Sequence, residues 1–377
     1  MKRLGLSITV CLACTIFTMQ AQTYDFTVKL DQVLRPQAMF KADTVEICIM
    51  GDVMMHKDQI DNSAIYGYQN YFKELENRIG NADLAIANME FTLGGEPYTG
   101  YPAFSAPDSY AEYIANCGFD VFLTANNHIL DRGRAGLKRT LDIYKSYEDK
   151  YGVKFTGSAL SPEQMQENYP LMLAIRGMRI ALINFTYGTN SGAAGVWPDT
   201  YRMNDKQAIA AAVTKARHLG ADLIIALPHW GTEYNLHHSE VQEDMAKWLA
   251  AKGVDVIVGA HPHVVQDWQM IEDGKGGQIP CIYSMGNAIS NMKVKEARIG
   301  MVVHLSVVRS PMGDVELLEP EFELTWCALP GRLYDSHATV PVREQINKRE
   351  SWKSRWDWDL MMTTYNLILK ETNITDN

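Results

Sequence analysis

Two histidines separated by a single proline, His261-Pro262-His263, follow directly on an apolar, β-branched run at residues 254–258 that Gly259 ends. In extended backbone, side chains two residues apart face the same way, so both imidazoles would aim at one point beyond a buried strand. Imidazoles paired in this way suit a transition-metal ion. Four other strand-like runs end in related chemistry. Asp52 follows residues 45–50 through a glycine, where a carboxylate can hold a metal or cap a helix. Asn88 and Glu90, two oxygen donors at i and i+2, follow residues 83–87. Asn127 and His128 follow residues 119–124, and His229 follows residues 221–227. Three adjacent polar side chains, Asn126-Asn127-His128, would cost stability if buried without partners, and a helix cap needs only one of them.

Together these positions offer carboxylates, one asparagine and three imidazoles, a donor set of intermediate hardness that suits Mn, Fe or Zn. One or two divalent ions held there would polarise a substrate oxygen and lower the pKa of bound water. His128, next to a donor but able to face away from it, has the chemistry to protonate a leaving group. Asn88, Glu233 and Asn287, polar residues beside these donors, are candidates for substrate contact.

Chemistry from five strand ends converges only if those ends share a rim, which an α/β architecture provides. The spacing predicts helices over 71–79, 108–117, 136–147, 205–219 and 239–252 between the strands, the last with Gln242 near its start. Residues 171–175 and 178–183 read as a hairpin turned by Arg176-Gly177. Residues 299–308 and 315–324 read as two alternating, antiparallel strands, and a Trp-rich amphipathic helix is expected from Glu344 onward. Residues 91–107 and 186–199 carry no period and read as long loops beside the site, the second as a lid.

The 377 residues, 46% hydrophobic, can bury a large core. A net charge of −10 argues against nucleic acid or an anionic membrane surface as the main partner. Met1-Lys2-Arg3, an uncharged stretch from Leu4 to Met19 and small or polar residues near Ala21 read as a secretory signal peptide over 1–21. Export to the periplasm or cell envelope follows from it. Of six cysteines, Cys11 and Cys14 fall in that segment, and the remaining Cys48, Cys117, Cys281 and Cys327 keep no CxxC spacing. Buried free thiols, not a disulfide framework or a thiolate zinc site, are expected.

The blocks GDVMMH, ANMEFTLGG, TANNHILDRG, PHWGTEY, GAHPHVVQ and YSMGNAIS, in this order across residues 45–305, resemble the CapA-type poly-γ-glutamate capsule synthesis family. That family is similar to the calcineurin-like metallophosphoesterases. The resemblance implies a four-layer α/β/β/α sandwich over 45–325, followed by a helical extension over 326–377 packed on it. It also implies a binuclear centre in which Asp52 and His263 serve the first ion, Asn127, His229 and His261 the second, and Glu90 bridges. His128 would be the general acid. Two departures stand out: Met54 occupies the place of a phosphoesterase histidine, with His56 two residues on, and the bridge is glutamate instead of aspartate. The implied role is biosynthesis or processing of an anionic surface polymer or its precursor, in an envelope synthesis complex, as a metal-dependent hydrolase or transferase. The alternative is a non-enzymatic polymer-binding or assembly subunit with a vestigial site.

Overall fold

The computed structural model describes residues 44–310 and 312–376; the expected signal peptide lies outside them. The chain opens with β1 (Thr44–Val53), α1 (Lys57–Tyr66), α2 (Glu76–Asn81), β2 (Leu84–Met89), α3 (Asp108–Asn116), β3 (Val121–Leu123), α4 (Gly133–Tyr151) and β4 (Lys154–Thr156). It continues through β5 (Ser158–Ala159), α5 (Pro162–Asn168), β6 (Leu171–Ile175), β7 (Met178–Thr186), β8 (Asp199–Thr200), α6 (Lys206–His218), β9 (Leu223–His229), α7 (Glu240–Lys252) and β10 (Val256–Val258). The last third holds β11 (Trp268–Glu272), β12 (Gln278–Ile282), β13 (Asn287–Ile289), β14 (Ile299–Arg309), β15 (Val315–Leu317), β16 (Glu321–Ala328), β17 (Ala338–Pro341) and α8 (Arg355–Glu371).

Two sheets form the centre. One runs β17-β16-β14-β1-β2-β3-β4, with β13 also paired to β1 and β15 to β14; the other runs β11-β12-β10-β9-β7-β6. Neighbours β1 to β4 are parallel, as are β12, β10, β9 and β7, so both sheets carry their polar strand ends in one direction. Alternation along each strand sorts the layers. Val45, Ile47 and Ile49 of β1 join Leu223, Ile225 and Leu227 of β9 in a core between the sheets. Cys48 and Met50 face the opposite way, among Leu75, Ile79, Tyr110, Ile114 and Tyr144 on the helical side. Ile224 and Ala226 of β9 meet Ile209, Val213, Met245 and Leu249 of α6 and α7. The result is the four-layer α/β/β/α sandwich, and burial on both faces explains why the middles of these strands are mostly apolar.

Local chemistry accounts for much of this. Arg176 (φ 47°) and Gly177 (φ 76°) make the two-residue turn that joins β6 to β7. Asp205 caps α6 by accepting from the Ala208 amide, and Ser239 with Gln242 closes a capping box on α7. Some expectations are corrected. Residues 71–79 form a single 3₁₀ turn, Lys73–Leu75, before α2 instead of one helix. The strand expected over 315–324 is split into β15 and β16, because Pro320 has no amide to donate to a ladder. The C-terminal helix begins at Arg355, where Ser354 accepts from the Asp357 amide, not at Glu344. The expected division at residue 325 falls inside β16, and the sheet runs on through β17.

The C-terminal segment is clasped to the sheet by a buried ion pair. Arg298 Nη1 and Nη2 donate to Asp357 Oδ1 and Oδ2, both at 2.7 Å, the guanidinium lies 4.1 Å from the Trp326 ring, and Trp326 Nε1 donates to Asp357 Oδ2 at 3.3 Å. Removing one partner strands the other charge in the interior. Asp357→Ala should therefore cost about 3–5 kcal/mol in a denaturant titration, while Arg298→Met combined with Asp357→Leu should recover most of that loss.

Candidate metal centre

The centre begins with how β1 ends. The β1–β2 register shifts between Met50 and Asp52, so Asp52 pairs with Asn88 on one side and Asn287 of β13 on the other. Gly51 permits this: a Cβ there would lie 1.9 Å from the Gly286 carbonyl oxygen, which instead accepts from the Asp52 amide at 3.1 Å. Asn88 Nδ2 donates to Asp52 Oδ1 at 2.6 Å and reaches His229 Nδ1 at 3.1 Å. Glu90 follows β2 by one residue and sits fully buried beneath these groups.

His261 and His263 arrive differently from the expected strand alternation. β10 stops at Val258, and both histidines have left-handed backbone, φ 102° and 60°. Such conformations are costly for residues with a Cβ and are held where the surroundings over-determine them. Here the His261 amide donates to Asp52 Oδ2 at 3.2 Å, and the Pro262 carbonyl accepts from the Tyr234 amide at 2.9 Å. The two imidazoles therefore converge through a kinked turn tied to neighbouring loops. His229 is held next to them because the Trp230 amide donates to the Ala260 carbonyl at 3.0 Å.

The donors fall into two triads that share one carboxylate: Asp52, Glu90 and His263, and Glu90, His229 and His261. All five are at most 3% exposed. His263 Nδ1 lies 3.3 Å from Asp52 Oδ2 and 3.8 Å from Glu90 Oε2. His229 Nε2 lies 3.5 Å from Glu90 Oε1 and 2.7 Å from Asn127 Oδ1. Donors bound at about 2.1 Å to one ion stand roughly 3.0–3.4 Å apart, close to these separations. Both Glu90 oxygens and His261 Nδ1 are buried without a hydrogen-bond partner, as is Asn88 Oδ1. Unsatisfied carboxylate oxygens at zero exposure fit a cation as the missing partner.

The electrostatics agree. Burial first, and the Asp52 carboxylate second, push the Glu90 carboxyl well above its ordinary range. Burial, together with neighbouring imidazoles, pushes His229 far below its usual value and His261 down to about 3. Imidazoles kept neutral are in the form that binds metal, whereas Glu90 must lose a proton first.

The remaining expected residues divide. His128 Nε2 lies 4.0 Å from Glu90 Oε1, while Nδ1 is 2.7 Å from Asp131 Oδ2, a carboxylate that also accepts from the Phe104 amide at 2.8 Å. Asp131 thus fixes the ring with Nε2 toward the centre. Its i+3 spacing from His128 on a turn is the one signal in the sequence that points to this role. Glu233 is exposed, with a carboxylate oxygen in one group with His261 and His263. Asn88 and Asn287 are buried; Asn287 Oδ1 lies 3.0 Å from His263 Nδ1 and its Nδ2 donates to the Ala297 carbonyl at 2.8 Å. Asn126 ties the loop to β2 by donating to the Met89 carbonyl at 2.9 Å. Met54 is buried in the helical-side core, and His56 pairs with Gln59 at the start of α1 and packs edge-on against Phe104, which in turn packs against His128. The loop after β7, expected as a lid, is pinned: Asn190 N donates to the Asn127 carbonyl at 2.8 Å, and Arg134 donates to the Val196 and Ala193 carbonyls at 2.8 and 2.9 Å.

Two outcomes follow for metal uptake. Titrating metal-free protein with Mn²⁺ or Zn²⁺ in weak buffer at pH 7 should release about one proton per chain, and Glu90→Gln should abolish the release. The raised Glu90 carboxyl stabilises the metal-free fold below its unfolded pKa, roughly 4.3, and that contribution is lost as pH rises through the folded value. The rise in Tm on adding Mn²⁺ should accordingly be larger at pH 8 than at pH 6; the depressed histidines are neutral at both and add nothing to that difference. Equal shifts at both pH values would argue against a cation between these donors.

Comparison with known proteins places this geometry. The family model described as bacterial capsule synthesis protein PGA_cap matches residues 46–292, well over half the chain. The capsule biosynthesis protein CapA of Bacillus anthracis is 27% identical over 275 residues, 70% of this chain and 64% of that protein. The PGA biosynthesis protein CapA of Bacillus subtilis strain 168 is 26% identical over 294 residues, 74% of this chain and 72% of that protein. The chain thus spans about two thirds of the length of these relatives. Among solved structures, the NAD nucleotidase of Haemophilus influenzae (14% identity, TM-score 0.47, 89% of this chain and 65% of that one) is similar in arrangement. So is the calcineurin-like phosphoesterase YfkN of Bacillus subtilis (14% identity, TM-score 0.44, 87% and 98%), and neither likeness bears on individual residues of the site. On the extent of the family match, the chain belongs to the bacterial capsule synthesis protein PGA_cap family.

Proposed function

We propose that this chain is an exported, metal-dependent hydrolase or transferase of the cell envelope that acts on an anionic surface polymer or its precursor. The observation that carries this reading is the pair of buried triads sharing Glu90, with His128 Nε2 facing the shared carboxylate. Asp52, Glu90 and His263 would hold one divalent ion, and Glu90, Asn127, His229 and His261 a second. Ions in those places would supply polarisation of the scissile bond and a more acidic attacking water. The protein's own contribution is orientation and proton movement. Asp131 accepts from His128 Nδ1, so a proton carried on Nε2 is aimed into the centre and available to a departing oxygen or nitrogen. Asn88 holds Asp52 in place as a positioning residue, while Asn287, anchored to the Ala297 carbonyl, lies beside His263. The capsule-related names of the two Bacillus relatives support an envelope role.

One observation favours a second reading, a polymer-binding assembly subunit. Met54 puts a thioether in the core at the position where phosphoesterases carry a histidine, which leaves the first triad one nitrogen poorer. His128→Asn separates the two. It removes no proposed ligand, so metal content and Tm should stay near wild type, while turnover falls by about 10² to 10⁴, the usual worth of a positioned acid or base. In a strain lacking the gene, the metal-replete variant should fail to restore surface polymer; full restoration would favour the assembly subunit. Export is tested separately: residues 1–30 fused to a reporter active only outside the cytoplasm should give signal, and Ile8→Asp with Val10→Asp should silence it.

A further inference from the structure

Three tyrosines on three different loops stand at the mouth of the centre, each against a different imidazole. Tyr187 has its ring centroid 4.5 Å from that of His261, Tyr234 lies 6.2 Å from His263, and Tyr101 lies 6.4 Å from His128. Yet all three are exposed, at 41%, 46% and 74%. Neither of the first two is loosely placed. The Tyr187 amide donates to the His229 carbonyl at 2.8 Å, the Tyr234 amide to Pro262 at 2.9 Å, and Tyr234 itself holds a left-handed φ of 63°. The three rings pack partly on neighbouring rings and leave the rest of their surface in solvent at the edge of a buried polar site. They are what a ligand with flat, weakly polar faces would cover.

The charges around them narrow the ligand. Glu233, exposed between Tyr234 and the histidines, presents an acceptor and a negative charge. Arg132, on the turn after His128, and Arg134, in the first turn of α4, are engaged by the carbonyls of Pro97, Ala193 and Val196. Apart from the triads, where bound ions would attract any carboxylate, a poly-γ-glutamate chain, aliphatic and carrying one carboxylate per residue, would meet Glu233 and aromatic faces at the mouth. A pyranose ring presents C–H groups carrying partial positive charge, which the negative face of an aromatic ring attracts, and hydroxyls that Glu233 and the Asn190 amide can pair.

We propose that Tyr101, Tyr187 and Tyr234 form a stacking collar for sugar rings, so that the segment of polymer bound beside the centre is a glycan. This deepens the envelope-polymer reading and rests on it for the identity of the polymer, though the binding test does not require turnover. The test uses fluorescently labelled protein, metal-free and Mn²⁺-loaded, on a printed array of neutral and acidic oligosaccharides, with soluble poly-γ-glutamate and AMP as competitors. Wild type should retain oligosaccharides in a salt-insensitive manner, and neither competitor should displace them. Tyr187→Ala and Tyr234→Ala should each weaken binding about tenfold, the worth of one aromatic contact, whereas Tyr187→Phe and Tyr234→Phe should bind as wild type because the face remains. Metal content and Tm measured on every variant separate loss of the collar from damage to His261 or His263. Wild type that binds no oligosaccharide, displacement by poly-γ-glutamate or AMP, or alanine variants that bind equally well would each overturn the proposal. Protein that takes up no metal yet binds sugars through these tyrosines would sink the metal-dependent reading and leave the collar standing.

Discussion

Glu90 is a carboxylic group at zero exposure with no donor to either oxygen and a second carboxylate, Asp52, beside it. A folded chain can hold such a group only as a neutral acid or against a cation. Much of the surrounding structure is arranged about that constraint. The bulge at Asp52, the Gly51–Gly286 approach and the Asn88 amide set the first carboxylate. The kinked His261-Pro262-His263 turn and the Trp230–Ala260 pairing bring two imidazoles to the second triad and one to the first. The two sheets, packed through Val, Ile and Leu side chains, make this affordable by providing a rigid frame on which strained backbone at the rim is tolerated.

The parts legible in the sequence were those governed by short-range pattern. Alternating and continuous apolar runs located the strands that carry the site, and the Arg176-Gly177 turn, the Asp205 cap and the Ser239–Gln242 box were readable because their chemistry is local. Elements whose existence depends on partners were not. β11, β13 against β1, and β17 on the sheet edge are short strands defined by pairing, not by composition. Residue 344 looked like the start of one long helix because Trp352, Trp356 and Trp358 continue the amphipathic pattern; it lies in a single helical turn, Val342–Gln345, and the backbone passes through a 3₁₀ turn at Arg349–Ser351 before Ser354 caps α8.

At the site, residue types were readable and directions were not. His261 and His263 were expected to share a side by strand alternation; they converge through positive φ, which no two-residue periodicity encodes. Asn88 and Asn287 look like surface recognition groups as letters, but their amides are turned inward to Asp52 and His263. Asp131 and the three tyrosines escaped notice because neither a carboxylate three residues on nor a tyrosine in a loop is unusual until the fold places it against an imidazole. The family likeness supplied the pairing of donors that spacing alone left open, while Met54 marks where the chain departs from it.

The loop after β7 is bound along its length, through Asn190 to Asn127 and through Ala193 and Val196 to Arg134, so the opening above the triads is a standing one. A cavity that must shut over its ligand admits chain ends and small molecules, because a long polymer would be trapped across the closing edge. An opening that stays open has no such restriction. On the proposed reading it would be approached from the side by the middle of a strand, which would make internal positions of a polymer as reachable as its termini and let one chain be engaged at several places without being released.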